Sequence, residues 1–275
     1  MKTNAKRFAK AYAVTPGQRF RLAGCDTAGL KAFPSKEDAR VQTVKDAEAI
    51  DALQDRLYAE GRRALLVVLQ GIDCSGKDGT VRAVFNHCGP IGVRITAFKA
   101  PSADERAQDF LWRVHKACPP RGFIGIFNRS HYEDVLVVKV KGLADKDDIE
   151  RRYAQINAFE ALLAETGTKV LKFMLNISKA EQAERLRERI ATPEKRWKFN
   201  PADLEDRKLW PDFMKAYDTA ITRCSTPHAP WHVIPADHNW VRNAIVARIV
   251  RETLEEMNPQ YPQPTDWTPS RIKVV

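Results

Sequence analysis

The chain has 275 residues, 44% of them hydrophobic and 29% charged, with a formal net charge of +10. This length and composition are typical of one soluble α/β domain, and no apolar run is long enough to span a membrane. The basic N-terminus lacks the apolar segment of a secretory signal, and the five cysteines contain no C-x-x-C pair, which argues against a disulfide framework or a zinc site. We therefore expect a cytoplasmic, reducing location and, from the charge, an anionic partner such as a nucleic acid, a lipid surface or a polyanionic substrate.

Alternating strand and helix patterns fill most of the chain. Residues 1–44 have few periodic signals and predict an extended N-terminal arm that lies on the domain. Short apolar runs predict buried parallel strands over residues 64–69, 93–98, 122–127, 169–176 and 231–235. Helices are predicted over 44–61, from the loop after the first strand to about 88, and over 104–117, 148–165, 179–190, 203–221 and 241–257. This order predicts an α/β domain over 45–258 with a parallel sheet covered on both faces, and a proline-rich tail over 259–275.

A phosphate-binding loop is predicted directly after the first strand. Residues 71–77 match the G-x-x-x-x-G-K part of a P-loop and stand between a strand and a helix, as the motif requires. The glycines let backbone N–H groups turn toward phosphate oxygens, and the lysine adds a positive charge. The alternative is a structural glycine turn. The predicted phosphate-binding residues of this loop are Gly71, Ser75, Gly76, Lys77, Asp78, Gly79 and Thr80.

Two acidic residues depart from the usual P-loop. The position after Lys77, where a Ser or Thr hydroxyl would ligate magnesium, is Asp78, and Thr80 follows it two residues later. Asp73 lies inside the loop, where its charge would repel phosphate unless it serves a cation. Either Asp73 is a metal ligand or general base, or its side chain only caps the turn; we favour the metal role.

A second polar loop, NRSHYED, runs from Asn128 to Asp134 after the third strand. The carboxyl ends of parallel strands meet at one edge of the sheet, so Arg129 is expected near the phosphate loop. There it can stabilise the charge of a transferring phosphoryl group, unless it only forms an ion pair with Glu133 or Asp134. We expect His131 to be structural, because no nearby Ser or Cys calls for a base.

A cationic stretch over residues 179–208 is interpreted as part of a lid. Arg185 and Arg189 are spaced i, i+4 and share a helix face that could close over phosphates. The acids that alternate with the other cations favour a solvated, salt-bridged helix for most of this stretch. Trp197 and Trp210 are expected to anchor the helices against the core, with stacking on a base as the alternative.

Taken together, these motifs resemble the polyphosphate kinase 2 family. The resemblance is carried by GIDCSGKDGT at 71–80, FNRSHYED at 127–134 and SKAEQAERLRERIATPEKRWKFNPADLEDRKLWPDF at 178–213. It implies a three-layer, thymidylate-kinase-like P-loop kinase fold with a parallel sheet and a helical lid at about 178–213. It also implies Mg²⁺-dependent phosphoryl transfer between inorganic polyphosphate and a nucleotide, with Mn²⁺ as an alternative metal.

The resemblance assigns roles to individual residues as well. Asp73 would bind magnesium or activate the acceptor, and Lys77 and Arg129 would hold the transferring phosphates. From the lid, Arg185 and Arg189 would reach the same phosphates.

The second loop departs from the family's usual Asp-Arg-Ser-Trp-Tyr-Asn-Arg. Asn128 replaces the first acid, so a second metal ligand is missing there, and Asp134 is the candidate that compensates for it. Asn128, Glu133 and Asp134 are also predicted to contact the nucleotide. This version of the loop resembles the subgroup that phosphorylates both AMP and ADP with polyphosphate.

Two other functions stay open from the sequence. An ATP-dependent nucleoside monophosphate kinase would share the P-loop, sheet and lid, and a P-loop module that binds nucleic acid would use the +10 charge without catalysis. The resemblance implies inorganic polyphosphate and adenine nucleotides as substrates, with guanine as an alternative base. No motif that reads nucleic acid is present, and we expect neither nucleic acid nor a membrane as a partner. The arm and the tail could serve a homo-oligomer interface in a dimer or tetramer.

Overall fold

The structure, a computed structural model, describes residues 6–263 and residue 265. Residues 1–5 of the predicted arm, and residues 264 and 266–275 of the predicted tail, lie outside the described part of the chain. The division into arm, domain and tail stays a prediction.

A parallel sheet forms the centre of the described chain. Its strands are β1 (Ala64–Gln70), β2 (Val93–Ala97), β3 (Ile124–Asn128), β4 (Thr168–Asn176) and β5 (Trp231–Pro235). They are arranged in the order β2-β3-β1-β4-β5, and every neighbouring pair is parallel. Each residue of the central strand β1 is buried, as the apolar run over residues 64–69 predicts. The predicted α/β class and parallel sheet are confirmed.

The helices fill the connections between strands. They are α1 (Lys6–Tyr12), α2 (Lys36–Glu60), α3 (Lys77–Phe85), α4 (Ala103–Arg106), α5 (Trp112–Ala117), α6 (Val137–Val140), α7 (Lys146–Glu165), α8 (Lys179–Ala191), α9 (Ala202–Lys208), α10 (Trp210–Cys224) and α11 (Asn239–Met257). Short 3₁₀ turns occupy Leu30–Ala32, His131–Asp134 and Pro193–Lys198. Among the described residues, no helix is both long and apolar enough to cross a bilayer.

Three predicted helices differ from the observed ones because of local capping and proline chemistry. The helix predicted to start at residue 44 begins at Lys36, where Ser35 caps it by accepting the Asp38 N–H, and it ends at left-handed Gly61 as expected. The helix predicted over 203–221 is split at Leu209, because the proline that follows opens a new helix. The helix predicted over 104–117 is also split, and the Asp109 carboxylate accepts the Leu111 N–H at the break.

Side chains on the two faces of the sheet enter two separate hydrophobic cores. Leu66 and Val68 of β1 point into one core, which α7 and α10 cover. Leu65 and Val67 point into the other, which α2, α3 and α11 cover. The alternation along one strand therefore builds the predicted three-layer arrangement.

The segment before α2 packs along β5 and α10. Val14 N donates to Trp231 O at 2.8 Å, and Leu22 N donates to the Asp218 carboxylate at 2.7 Å. This segment was predicted to be an extended arm, but Lys6–Tyr12 within it forms the helix α1.

Arg242 of α11 contacts the phosphate loop. Arg242 is 3% exposed, and its Nη1 donates to Ser75 O at 3.1 Å. Burial, with repulsion from Arg185, lowers the pKa of Arg242 to about 9. Gly76 has a φ of 97°, and a Cβ there would lie 1.9 Å from Arg242 Nη1. Position 76 therefore requires glycine for two reasons: its backbone is left-handed, and the Arg242 guanidinium leaves no room for a Cβ.

We predict that Gly76→Ala destabilises the fold by about 2–5 kcal/mol, since left-handed backbone costs roughly 1–2 kcal/mol and overpacking adds roughly 1–3 kcal/mol. Gly142 provides the matched control, because it has a φ of 63° but open space around a Cβ. Gly142→Ala should cost only the backbone part, roughly 1–2 kcal/mol. Urea unfolding followed by circular dichroism measures both, and equal losses would contradict the packing of Arg242 against the loop.

Candidate active site

The ends of β1 and β3 bring the two predicted loops together. Leu69 pairs with Asn128 in the parallel register, and Arg129 N donates to Leu69 O at 3.0 Å. The phosphate loop leaves β1 and the second loop leaves β3 at the same edge of the sheet. The sequence therefore predicted this proximity correctly, from the parallel topology alone.

Arg129 is the link between the two loops. Its guanidinium forms an ion pair with Asp73 through Nη2 and with Glu133 through Nη1, the latter at 3.1 Å. Burial opposes the charge of Arg129, but the carboxylates of Glu133 and Asp73 outweigh burial and raise its pKa above the usual value. Its backbone is left-handed, with a φ of 63°, a conformation that costs energy for a residue with a Cβ.

Lys77 lies at the base of the same cleft. Its side chain is buried, and Nζ donates to Gly71 O at 2.7 Å and to Ile72 O at 3.4 Å. Burial, followed by repulsion from Arg129, lowers the pKa of Lys77 to about 8. A buried ammonium of this kind gains when an anion enters the cleft beside it.

The remaining side chains of the loop hold its shape. Gly71 has a φ of 154°, and a Cβ there would lie 2.5 Å from Ser75 Oγ, which is fully buried. Thr80 Oγ1 donates to Gly76 O at 3.1 Å. A Cβ on Gly79 would lie 3.2 Å from Arg242 Nη2.

Asp78 ties the phosphate loop to its neighbours. Asn128 Nδ2 donates to Asp78 Oδ1 at 2.6 Å, and Lys198 Nζ lies 3.8 Å from Asp78 Oδ2. Asp78, which stands where a P-loop usually has Ser or Thr, therefore connects the phosphate loop, the second loop and the lid.

The predicted lid arginines have different surroundings. Arg185 donates to the backbone oxygens of Cys74, Ala236 and Asp237 at 2.8, 2.8 and 2.6 Å, so it braces the outside of the phosphate loop. Arg189 faces the cleft, where its Nη1 lies 3.4 Å from Asp203 Oδ2.

Asp134 is held by arginines in this structure. Arg152 Nη1 donates to Asp134 O at 2.9 Å and lies 3.5 Å from Oδ1, and Arg113 lies 3.9 Å from Oδ2. Burial raises the pKa of Asp134 despite these cations. Its role as a metal ligand stays a prediction.

Two connected clefts meet at Asp73 and Arg129. The first, of about 320 Å³, contains the phosphate loop and is lined by the cations Lys77, Lys99, Arg129, Arg189 and Lys198. The second, of about 700 Å³, has apolar walls from Phe98, Val137, Val138 and Leu143, and Glu133 and Asp134 also line it. The first cleft suits phosphates, and the second suits a group with apolar faces and polar edges.

Several residues of these clefts were missed from the sequence. Lys198 and Asp203 lie in the stretch that reads as a solvated charged helix, and Lys99 has no motif around it. Burial and the nearby Asp73 raise the pKa of Asp203 to about 6. The expectation for Trp197 is wrong, because it is 75% exposed at the end of a 3₁₀ turn, whereas Trp210 packs against the core as predicted.

The donor set of the first cleft fits a hard divalent cation. In the described part of the chain, no group of three or more His, Cys, Asp or Glu side chains could hold a metal ion. Mg²⁺ does not require one, because it keeps several waters and uses one or two carboxylates together with substrate phosphates. Asp73, at the mouth of a phosphate-sized cleft, is such a carboxylate.

The chain is similar to known polyphosphate phosphotransferases. The chain is 50% identical over 256 residues to the AMP/ADP-polyphosphate phosphotransferase of Meiothermus ruber, covering 93% of this chain and 96% of that protein. It is 37% identical over 276 residues to the ADP-polyphosphate phosphotransferase of Rhodopseudomonas palustris, covering 96% and 94% of the two chains.

A solved structure and the model of a protein family also match most of the chain. The crystal structure of polyphosphate kinase 2 from Arthrobacter aurescens superposes with a TM-score of 0.92 at 41% identity, covering 97% of this chain and 95% of that one. The profile of the polyphosphate kinase 2 family matches residues 34–262. With the P-loop kinase fold and the paired loops already described, the chain belongs to the polyphosphate kinase 2 family.

Proposed function

We propose that this protein transfers a terminal phosphoryl group between inorganic polyphosphate and AMP or ADP. The observation that carries the proposal is that Asp73 and Arg129 line both a cationic cleft, which also contains Lys77, and a cleft with apolar walls. Phosphoryl transfer needs little covalent chemistry from a protein. It needs two substrates held in line and the charge between them neutralised.

The cationic cleft would hold the transferring phosphates. Backbone N–H groups at the start of α3 and the Lys77 ammonium would bind their oxygens. Arg129 would leave its ion pair with Asp73 for the transferring group, since a phosphoryl oxygen offers the same charge. Arg189 reaches this cleft from the lid, and Arg185 would hold the loop in shape from outside.

We propose Mg²⁺ as the cofactor, with Mn²⁺ as a substitute. Asp73 would hold it, and Asp134 is the candidate for a second carboxylate. When bound, the ion would neutralise phosphate charge beside the transferring group. Asp73 would thereby exchange one cationic partner, Arg129, for another.

The cleft with apolar walls would hold the nucleotide. Its hydrophobic side is formed by α6 and Phe98, against which a base could pack, and Asn128, Glu133 and Asp134 line its approach to the phosphate loop. Acceptance of both AMP and ADP is supported by the name of the Meiothermus ruber relative and by the NRSHYED loop. The Rhodopseudomonas palustris relative is named for ADP alone, so the acceptor range requires a direct test.

The +10 charge has a use in this proposal. Polyphosphate is a polyanion, and a basic surface would hold it as it would hold a nucleic acid backbone, with affinity that falls as salt rises. We also propose a cytoplasmic location and a dimer or tetramer as the working assembly.

We predict that polyphosphate converts AMP to ADP and ATP, and ADP to ATP, with Mg²⁺ present, and that EDTA abolishes both reactions. Chromatographic separation of the nucleotides measures them. Product from ADP alone would remove AMP from the acceptor range. A protein that phosphorylates AMP from ATP, and forms nothing from polyphosphate, would instead be an ATP-dependent monophosphate kinase.

We further predict that binding of tripolyphosphate, without nucleotide or metal, takes up a proton at pH values from about 8 to about 9. In the free protein Lys77 loses its proton as pH rises through about 8, and bound phosphate restores the charged form. Affinity should therefore fall as pH rises through this window. Calorimetry in two buffers of different ionisation enthalpy counts the protons.

Lys77→Arg is the control for that titration, because an arginine keeps its charge throughout the window. The protons that remain come from tripolyphosphate and from protein groups other than Lys77, and these are the same in both proteins. Equal proton uptake by the two proteins would contradict the low pKa of Lys77.

A further inference from the structure

A closed cluster of polar side chains lies beneath the second loop, away from both clefts. Its members are His131 and Tyr132 of the loop, Glu160 of α7 and Lys172 of β4, and each is 0% exposed. None of them lines the phosphate or nucleotide cleft. No motif pointed to Glu160 or Lys172.

Hydrogen bonds join the cluster into one network. Lys172 Nζ donates to Glu160 Oε2 at 2.5 Å, to Tyr132 Oη at 2.8 Å and to Cys224 O at 2.7 Å, which uses all three of its protons. Tyr132 Oη donates to Glu160 Oε1 at 2.9 Å, and His131 Nε2 lies 3.2 Å from the same oxygen. Tyr132 therefore contacts both members of a buried ion pair through one hydroxyl.

Burying an ion pair in a hydrophobic core costs free energy. Removing two charges from water costs several kcal/mol per ion, and apolar residues of similar volume often stabilise a fold as well or better. Burial opposes ionisation of Glu160, but the attraction of Lys172 keeps the pKa of Glu160 below its usual value. The Glu160–Lys172 pair instead fixes the position of the Tyr132 hydroxyl through hydrogen bonds.

Fixing Tyr132 also fixes Arg129, three residues earlier in the chain. Arg129 has a left-handed backbone, which persists only where the surrounding contacts leave no alternative. On the other side of the loop, Gln70 Nε2 donates to Ser130 Oγ at 3.0 Å, and Ser130 Oγ accepts the Tyr132 N–H. The loop is thus attached to β1 at one point and to the buried pair at another.

We propose that Tyr132, Glu160 and Lys172 are positioning residues for phosphoryl transfer, which hold Arg129 where it meets the transferring group. The inference rests on the role proposed for Arg129. None of the three lines either cleft, so the proposal has them act on the reaction through Arg129.

The test is a double-substitution cycle with Tyr132→Phe and Arg129→Ala. Tyr132→Phe keeps the ring and removes the hydroxyl that the pair directs. We expect kcat to fall at least ten-fold while KM for polyphosphate changes less than about three-fold, since binding also uses Lys77 and the loop backbone. In the Arg129→Ala background, the same substitution should lower kcat by less than about two-fold.

Tyr153→Phe is the matched control, because Tyr153 is a second buried tyrosine that packs in the same core, on α7. It should lower the melting temperature and leave kcat near the wild-type value. If the fold-loss of kcat in the double variant is the product of the losses in Tyr132→Phe and Arg129→Ala, the two residues act independently. Tyr132 would then have a structural role only, and the inference would be overturned. A kcat of Tyr132→Phe equal to that of Tyr153→Phe would overturn it as well.

A wild-type kcat for Arg129→Ala would instead remove the proposed role of Arg129, and the inference with it. If Tyr132→Phe does not fold, the cycle is run with Glu160→Gln and Lys172→Met together, which removes both charges and leaves no ion unpaired. That protein should fold and show the same loss of kcat, coupled in the same way to Arg129.

Discussion

The parallel pairing of β1 with β3 is the constraint on which the site depends. It brings two loops from distant parts of the sequence to one edge of the sheet, and the Arg129 backbone N–H donates to the Leu69 carbonyl of β1. The result is a concentration of positive charge around Lys77 and Arg129 that would not be stable by itself. Asp73 and Glu133 balance it in the free protein, and phosphates with a divalent cation would balance it during turnover.

The fold also supports this site with charged residues that line neither of the two clefts. Arg242 donates to the Ser75 carbonyl of the phosphate loop, Arg185 donates to the Cys74 carbonyl of the same loop, and the Glu160–Lys172 pair holds Tyr132 of the second loop. Both loops also contain residues with left-handed backbone, at Cys74 and Arg129. Strain of this kind persists where packing and hydrogen bonds over-determine the conformation, which is a reason for buried charges to lie around a phosphate site.

The sequence predicted what depends on local pattern. The apolar run of β1 followed by the glycine loop located the phosphate site, and the parallel topology placed Arg129 beside it. Arg242, Glu160 and Lys172 could not be found in this way, since their roles arise from contacts with residues far away in the chain. The lid was harder for another reason: a helix rich in alternating charges reads as solvated whether or not one of its faces meets a cleft. Trp197 shows the converse, an apolar residue that the lid leaves exposed.

Substitution of Asp73 distinguishes a catalytic role, in which Asp73 binds the divalent cation, from a structural role as the ion-pair partner of Arg129. If Asp73 holds the divalent cation, then Asp73→Asn, which keeps the shape and removes the charge, should lower kcat for ATP formation from polyphosphate and ADP by at least about 100-fold, the size expected when one electrostatic contact to a transition state is lost. If Asp73 only forms an ion pair with Arg129, the substitution should release the arginine without loss of turnover. The measurement is kcat at saturating polyphosphate, ADP and Mg²⁺, on protein shown to be folded. A loss of about 100-fold or more is the predicted result, and a kcat within about three-fold of the wild type would contradict the account.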